Sequence, residues 1–514
     1  MERWILAVDL GNGGPKVAVL DLHDHLLAVC VRPVSVKIGL DGTATQDANE
    51  WWDQVLIGAR EAISLSNVDP AGLHAVAVTG QWGSTVPVDS KGTPVGDVLL
   101  WSDNRGEKYM REIIGGPINY QGFAPHRVIP WVRKTGGGPT PSGADPTGHS
   151  MVLQREMKST YDRAAYLLEP IDYLGMRFTG IAGATPASMI LSWITDNRLG
   201  KPVQYDAGLA RRAHRDPSKL PPLRPTGSVL GTLLPEVAQA LGVQTNVPVI
   251  CGIPDLHSAV IGSGAVDPFD THITISTTAW IGARVPFKKT DILRSIASVP
   301  GLDNNFPLVA NNHETGGSAL RWLKENIFKG ESYEETLTKA QSAPAGSEGL
   351  IFTPWLNGER SPVDDKKIRA SFINMSLRTD EPMMIRAVME GVAFNSRWLF
   401  DSYEKFLGRK TPKVRIIGGG AQSDLWCQMH AYALNRPVER PADPRDAQLK
   451  GVASWARICL GELSLGDAGR QAIVTETFLP DGPDAKIYVD LYQEYKDLYS
   501  TLKKTHHRLN KIVS

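Results

Sequence analysis

Residues 5–21 read ILAVDLGNGGPKVAVLD, two apolar runs joined by a turn that holds three glycines and an asparagine. Asn-Gly between two such runs is the strongest short-range signal of a β-hairpin. A plain hairpin needs neither Asp9 at the end of a buried strand nor three glycines. Glycines let backbone N–H groups converge on phosphate oxygens, Lys16 adds positive charge, and Asp9 suits Mg²⁺. We therefore favour a phosphate-binding hairpin over a simple one.

The composition is that of a globular protein with more than one domain. Its 514 residues suit two or three domains. Lys plus Arg and Asp plus Glu both number 55, so charge gives no reason to expect nucleic acid or a membrane as partner. The apolar runs are too short to span a bilayer, and we expect no signal peptide. The four cysteines form no CxxC pair, which argues against zinc and fits a reducing cytoplasm.

Strand and helix patterns alternate through the first half of the chain. Residues 4–10, 16–22 and 26–34 are short β runs, and residues 47–66 place apolar side chains at helical spacing. This alternation predicts α/β layers. Residues 136–148 (GGGPTPSGADPTG) hold eight Gly or Pro, which predicts a loop inserted at the surface.

Two polar turns in different halves of the chain are alike. Residues 10–16 (LGNGGPK) and 275–282 (ISTTAWIG) each connect two β runs, and about half the chain separates them. One explanation is two similarly built domains that each present a hairpin tip to a shared cleft. The other is coincidence, and spacing alone does not decide between them.

Residues 247–266 (VPVICGIPDLHSAVIGSGAV) end a strand at Pro254 and begin a helix of small residues at Asp255. One explanation is that Asp255 caps the helix, which Asp does well. The other is a general base at the carboxyl end of a strand, where α/β proteins place their sites. Such a carboxylate can take the proton of an attacking hydroxyl, as in phosphoryl transfer. The local sequence favours the cap.

Residues 414–441 predict a strand, a Gly-rich turn, a helix and a second strand. Glycines directly after a strand suggest a nucleotide, and Glu439 lies at a distance that suits a dinucleotide site. The dinucleotide fingerprint nevertheless fails, because its third glycine would stand at Ser423. A nucleotide site and a Gly-rich turn without a ligand both remain open.

Residues 80–89 (GQWGSTVPVD) and 101–107 (WSDNRGE) place Gln, Trp, Asp and Arg after strands. Trp faces commonly stack on sugars, and Asp and Arg bind hydroxyl groups; alternatively, both Trp side chains are core residues. Residues 355–377 and 384–400 look structural. The sequence shows no Ser/His/Asp nucleophile pattern and no cluster of metal ligands.

Taken in order, these motifs resemble the FGGY family of carbohydrate kinases over roughly residues 3–470, and they most resemble its xylulokinase-like branch. The matching segments are AVDLGNGGPK, WSDNR, GIPDLHSAVIGSGAV, ISTTAWI, GGSALRW, PWLNGERSP, RAVMEGVAF and GGGAQSDLWCQMHAYALNRPVERP. The resemblance implies an α/β fold of two actin-like (ribonuclease H-like) domains flanking a deep cleft for ATP and sugar. It also implies transfer of the γ-phosphate of ATP to a sugar or polyol hydroxyl with Mg²⁺.

The resemblance also implies roles for individual residues. Asp255 is expected to activate the sugar hydroxyl, and Asp9 is expected to be the partner of Mg²⁺. The residues expected to cradle the phosphates and to line the adenosine side are Gly11, Asn12, Gly13, Gly14, Lys16, Thr277, Thr278, Gly317, Gly419, Gly420, Ala421 and Asp424. Those expected on the sugar side, with Asp255, are Gln81, Trp82, Gly83, Trp101, Asp103 and Arg105.

The chain departs from the family pattern at three places. The first hairpin usually reads G-T-T-S where residues 11–14 read GNGG, so the hydroxyls that could hold phosphate are absent. Ser276 replaces a glycine in the second hairpin, and Trp82-Gly83 stand where xylulokinases tend to carry Met-His. A xylulose-like ketose is the first expectation for the substrate. A catalytically weak, sugar-sensing relative is the alternative, and a dinucleotide-dependent oxidoreductase is the weakest one.

We divide the chain into three parts. Residues 1–262 form an N-terminal domain on the sugar side with the first hairpin, and residues 263–480 form a C-terminal domain on the adenosine side. Residues 481–514 are expected to form an amphipathic helix, because Tyr and Leu recur every three or four residues between 488 and 502. We expect the domains to close on sugar binding and, by family analogy, to form a homodimer.

Overall fold

The computed structural model describes residues 2–119 and 122–512. A mixed sheet underlies the N-terminal half, and its central strands are buried on both faces because they consist mostly of Val, Leu, Ile and Ala. The strands of this half are β1 (Trp4–Gly11), β2 (Gly14–Asp21), β3 (Leu26–Val31), β4 (Lys37–Ile38), β5 (Ala44–Gln46), β6 (Leu73–Gly80), β7 (Val86–Val88), β8 (Val98–Leu99), β9 (Tyr166–Leu168), β10 (Thr195–Asp196), β11 (Gln204–Tyr205), β12 (Val229–Thr232), β13 (Pro248–Ile250) and β14 (Ile253–Pro254).

Nine α-helices in the described part of the N-terminal half accompany this sheet. The predicted helix at residues 47–66 is confirmed: it begins after Asp47, whose side chain accepts the amide of Asn49, and ends at Asn67 in the left-handed conformation. The helices of this half are α1 (Ala48–Ser66), α2 (Glu107–Ile113), α3 (Pro125–Thr135), α4 (Pro146–Arg155), α5 (Lys158–Arg163), α6 (Pro170–Thr179), α7 (Ala207–Arg212), α8 (Pro235–Leu241) and α9 (Asp255–Ser263).

The C-terminal half has its own mixed sheet and its own apolar core. Its strands are β15 (Thr271–Ile275), β16 (Ala279–Arg284), β17 (Thr290–Asp291), β18 (Ile296–Val299), β19 (Leu308–His313), β20 (Ile351–Thr353), β21 (Ser371–Ile373), β22 (Val414–Ile417), β23 (Val438–Pro441) and β24 (Val474–Phe478). Its helices are α10 (Ser318–Asn326), α11 (Tyr333–Ser342), α12 (Glu381–Leu407), α13 (Asp424–Leu434), α14 (Ala447–Cys459), α15 (Leu465–Gln471) and α16 (Ala485–Ile512).

The two sheets share one topology. In the first, β1 pairs antiparallel with β2, β2 pairs antiparallel with β3, and β6 lies parallel to β1 on its other side. In the second, β15, β16 and β19 form the antiparallel run, and β22 lies parallel to β15. The prediction of two similarly built domains, each with a hairpin at the corresponding place, is therefore confirmed.

Two crossing helices join the lobes. A Cβ atom at Gly262 of α9 would lie 1.7 Å from the carbonyl oxygen of Ala447, and one at Gly451 of α14 would lie 1.9 Å from that of Ser258. Only glycine permits this close crossing. Although α14 lies between strands β23 and β24 of the second sheet along the chain, it packs against β1 and β6 of the first. The domain boundaries placed at 262 and 480 stay predictions.

The terminal helix α16 packs on the C-terminal core through one stripe. Tyr488, Tyr492 and Tyr495 are buried there, and their hydroxyls bond to Glu390, Asp401 and Asn395 of α12 respectively. Among the residues that the structure describes, no helix is both long enough and apolar enough to serve as a membrane span.

The glycine-rich loop departs from expectation. Its last three residues, from Pro146, belong to α4, and no residue between 136 and 148 is exposed. Thr290 of the other lobe donates to the Gly136 carbonyl at 2.5 Å. The loop is less exposed than we expected of a surface insertion, because a Gly/Pro-rich composition reports backbone freedom and not which neighbour covers the loop.

Candidate active site

The tip of the first hairpin is exposed to solvent and is held by a side-chain hydrogen bond to its backbone. Asn12 and Gly13 are exposed, and the side chain of Gln46 donates to the Asn12 carbonyl at 3.0 Å. Gly14 has φ of +123°, and a Cβ atom there would lie 2.0 Å from the Arg32 carbonyl oxygen. Of the predicted phosphate residues, Gly14 therefore shapes the turn from its buried side, and Asn12 and Gly13 face outward.

Two charged side chains flank this tip. Asp9 and Lys16 are directly opposite each other in the β1–β2 register. Burial raises the pKa of Asp9, the charge of Lys16 lowers it and the charge of Asp446 raises it, with a net rise. The Lys16 ammonium lies 3.3 Å from an Asp446 carboxylate oxygen and donates to the Arg445 carbonyl at 3.1 Å. Lys16 thus already bridges to an anion of the other lobe.

Asp255 lies at the carboxyl ends of two parallel strands. It is the first residue of α9 and follows Pro254, which is paired with Gly80 at the end of β6. The N-cap is Pro254, and the Asp255 carboxylate accepts only the adjacent Leu256 amide at 2.7 Å within the described residues. The capping explanation is therefore wrong. Burial and the neighbouring Asp9 charge raise the pKa of Asp255 to about 7.

The second hairpin is braced by a helix start. Thr277 is exposed at its tip, and its carbonyl accepts from the Gly316 amide at 3.0 Å and from the Ser318 hydroxyl at 2.6 Å. The Gly317 amide donates to the Ser276 carbonyl at 2.6 Å. Gly317 therefore holds the hairpin through its backbone, and Thr277 projects from it.

The predicted adenosine segment forms a 3-10 turn between β22 and α13. Gly419 has open space around it, whereas a Cβ atom at Gly420 would lie 2.5 Å from the Ile275 side chain. Asp424 is exposed and paired with Arg440 at 2.7 Å. Ala421 is fully buried, and its carbonyl accepts from Arg440, so its side chain faces the core. This segment lies next to the second hairpin because Gly420 packs on β15.

The predicted sugar segment contains an orphaned amide. The side chain of Gln81 is buried, and both of its polar atoms lack a partner. A buried amide without partners is costly and marks a place where a ligand or water belongs. Next to it, the Gly83 amide donates to the Glu169 carboxylate at 2.7 Å, and Trp82 packs among Leu256 and its apolar neighbours.

The carboxylate of Asp103 is fully bonded, which distinguishes it from the neighbouring Trp101 and Arg105. Asp103 is fully buried; it accepts from the Ala44 amide at 3.1 Å and from the Arg105 guanidinium at 2.6 Å. A carboxylate so saturated has no free oxygen for a sugar hydroxyl, so the expected contact of Asp103 with substrate is not what this geometry offers. Asp103 orients Arg105, and Trp101 is left half-buried beside Gly83.

Sequence reasoning missed three side chains that meet the predicted residues. Asp446 pairs with Lys16, Glu169 holds the Gly83 amide, and Arg360 lies over the Trp101 ring with 4.9 Å between guanidinium and ring centre. Each comes from a segment far along the chain. The one available signal was the GERSP motif, which we took as structural.

The two lobes share one sheet topology, and each presents a polar hairpin at the corresponding place. The sequence matches the N-terminal domain of the FGGY family of carbohydrate kinases over residues 4–137 and 144–262, and the C-terminal domain over residues 282–459. The chain belongs to this family, and it is a carbohydrate kinase that uses ATP. This membership overturns the oxidoreductase alternative.

Individual relatives carry different substrate names. A xylulose kinase of Staphylococcus epidermidis is 26% identical over 531 positions, covering 98% of each chain. Crystal structures of a gluconate kinase and of a ligand-bound xylulose kinase, both from Lactobacillus acidophilus, superpose with a TM-score of 0.85. Each of these two is 23% identical and covers 99% of this chain and 100% of its own. The structural likeness confirms the predicted fold class. Residues 138–143 of the half-buried glycine-rich loop fall outside the family match.

Proposed function

We propose that this protein phosphorylates a hydroxyl group of a small sugar or polyol, with a xylulose-like ketose as the preferred class, and that Asp255 is the general base. The observation that carries the proposal is the half-buried Asp255 carboxylate at the strand ends beside Asp9, with its pKa raised to about 7. A base with that pKa is suited to neutral pH.

The proposed reaction is an in-line displacement at phosphorus. The substrate hydroxyl loses its proton to the Asp255 carboxylate as its oxygen bonds to the γ-phosphorus. The bond from that phosphorus to the bridging oxygen breaks, and ADP leaves with the electron pair. Lys16 and the exposed groups at Asn12 and Gly13 would hold the β- and γ-phosphates, with Thr277 and Thr278 on the opposite side.

Asp9 fits a role as partner of Mg²⁺. Its half-buried carboxylate has a pKa raised by burial, with a cation on one side and an acidic neighbour on the other. In the described residues no group of three His, Cys, Asp or Glu side chains is arranged to hold a metal by itself. Mg²⁺ requires only one or two protein carboxylates when phosphates and water complete its shell. A bound Mg²⁺ would neutralise charge on the phosphates.

The sugar end is proposed to lie at Gln81, Trp82, Gly83, Trp101 and Arg105. The orphaned Gln81 amide supports this placement, because a sugar hydroxyl can satisfy both of its polar atoms. The adenosine end is proposed at Gly317, Gly419, Gly420 and Asp424. Closure of the lobes would exclude water between the ends and suppress ATP hydrolysis.

An ADP-release assay with Mg-ATP tests the proposal. Ketopentoses, aldoses, polyols and sugar acids would be compared, with Asp255→Asn as the matched variant. We expect turnover that depends on a ketose and falls about 10³-fold in the variant, because the proton then has no acceptor. Turnover with only a sugar acid would replace the ketose assignment, and an unimpaired variant would remove Asp255 from its role.

The second candidate is a sugar-binding relative with weak catalysis. It is favoured by residues 11–14, which lack the hydroxyls of the usual hairpin. Sugar binding by calorimetry without ADP release on any panel member would support it. A cytoplasmic location and a homodimer stay predictions.

A further inference from the structure

The loop between β20 and β21 reaches from the C-terminal lobe to the predicted sugar end of the other. The guanidinium of Arg360 lies over the indole of Trp101, 4.9 Å from the ring centre. Trp101 follows β8 of the N-terminal lobe, so the contact joins the two lobes. A guanidinium at this distance is attracted by the negative face of the ring.

Arg360 is held in place from its own lobe. Its guanidinium pairs with Glu314, which also accepts from Lys366 at 3.0 Å. Burial works to raise the pKa of Glu314, but the two cations outweigh burial and hold that pKa below its usual value. Glu314 is therefore a stable anion that fixes the orientation of the Arg360 side chain.

The loop is anchored next to Arg360 by a buried carboxylate. Glu359 is fully buried and accepts from the amides of Glu314 and Arg360, at 2.8 and 2.9 Å, and from the Asn395 side chain at 2.7 Å. Asn395 in turn accepts from the Tyr495 hydroxyl at 2.9 Å. The terminal helix α16, which lies outside the family match, thus braces the loop that carries Arg360.

The partner side of the contact is equally well connected. The Trp101 amide donates to the Ser84 hydroxyl at 3.0 Å, and a Cβ atom at Gly83 would lie 3.7 Å from that of Trp101. Trp101 therefore belongs to the same packed segment as Gln81, whose amide has no partner. A movement of Trp101 relative to Arg360 would therefore also shift that segment.

We propose that Arg360 is a positioning residue that latches the two lobes together through Trp101 at the sugar end of the cleft. The latch forms when the lobes close about the α9–α14 crossing and separates when they open. Its effect on sugar affinity rests on the proposed function. Its effect on lobe closure does not.

Small-angle X-ray scattering of the full chain without ligand tests closure independently of activity. The wild type is compared with Arg360→Ala and with Lys366→Ala, the matched control that removes the other cation on Glu314 without touching Trp101. We expect a larger radius of gyration for R360A only, because, of the two substitutions, only that one removes a contact between the lobes. Equal radii for all three proteins would overturn the latch.

Steady-state kinetics give the second readout. We expect R360A to raise the KM for the sugar about tenfold while kcat changes less than threefold, and K366A to leave both unchanged. Arg360→Lys keeps the charge near Glu314 without the planar stack, so its KM for the sugar should lie between those of R360A and K366A. If R360A does not fold, R360K is the variant that tests the latch.

The two readouts separate the proposals. A wild type without turnover, combined with an expanded R360A, keeps the latch and rejects the kinase mechanism. Normal sugar-dependent turnover with an R360A that matches wild type in radius and KM rejects the latch and keeps the kinase.

Discussion

The first and second hairpins occupy equivalent places in their sheets and carry different chemistry. The strands of the first present Asp9 and Lys16 beside its tip. The corresponding strands of the second end and begin with Ile275 and Ala279, which are both buried. The same type of β-hairpin therefore occurs in both lobes, with charged side chains on one lobe and neutral hydroxyl and amide groups on the other.

The difference also extends to how each tip is stabilised. The first depends on its own glycine, because Gly14 has a positive φ that other residues avoid. The second depends on a neighbouring helix, because the backbone at residues 316–318 bonds to its carbonyls. We infer that the first hairpin is sensitive to its sequence and the second to its surroundings.

Removing the charge of the first hairpin should have the largest effect. We expect Lys16→Met to lower kcat/KM by about 10²- to 10³-fold, because the Lys16 ammonium beside that tip would stabilise charge on the transferred phosphate. The ADP-release assay measures it. The surface variant Lys37→Met, at a side chain 65% exposed, is the control and should match wild type. A loss of less than threefold in K16M would place phosphate binding on the other lobe.

Disturbing the backbone conformation of the first hairpin should have the next largest effect. We expect Gly14→Ala to lower the free energy of unfolding by about 2–4 kcal/mol, because a Cβ atom at φ +123° would meet the Arg32 carbonyl. Thermal unfolding measures it. Gly13→Ala is the matched control, since a Cβ atom there has nothing within 4 Å. Equal stabilities for the two variants would contradict the assigned turn.

Asp255, the proposed base beside the first hairpin, predicts a pH profile. The pKa of Asp255 is raised from 3.8 to about 7, so kcat should fall about tenfold for each pH unit below 7, where the base is protonated. The folded-state pKa lies above the unfolded one. Asp255 therefore lowers the free energy of unfolding as pH rises from about 4 to 7, by up to ~4 kcal/mol. Stability that is equally pH-dependent in Asp255→Asn would refute this assignment.

The smallest effect is expected in the second hairpin. Ser276 donates its hydroxyl to the Thr278 carbonyl at 3.2 Å, but its amide holds the same carbonyl at 2.9 Å. We expect Ser276→Gly to change kcat and the KM for ATP by less than about threefold, because the helix-braced turn survives. A tenfold change would show that this hydroxyl contacts the nucleotide.

The local secondary-structure elements of this protein could be predicted from the sequence. The hairpin at residues 5–21 was predictable because Asn-Gly and period-two alternation act within one turn and two strands. The helix at 47–66 was predictable from its spacing. Asp255 was identified from its strand-to-helix position, although the local pattern alone favoured a cap.

Partners that lie far apart in the chain were not predictable. Asp103 was expected to meet sugar, but the amide of Ala44, 59 positions away, bonds to its carboxylate in addition to the neighbouring Arg105. The Asp446 partner of Lys16 lies 430 positions away. No periodicity or spacing rule carries information across such a distance.

Sequence by itself determined the α/β layers, the two hairpins and the family, because each depends on residues adjacent in the chain or on the order of motifs. Only the tertiary structure decided which carboxylates are free to react. Burial beside Asp9 raised the pKa of Asp255, and the distant Ala44 amide, together with Arg105, occupied Asp103. The reactivity of a carboxylate depends on its desolvation and on its nearest charges, and the packing of distant segments sets both.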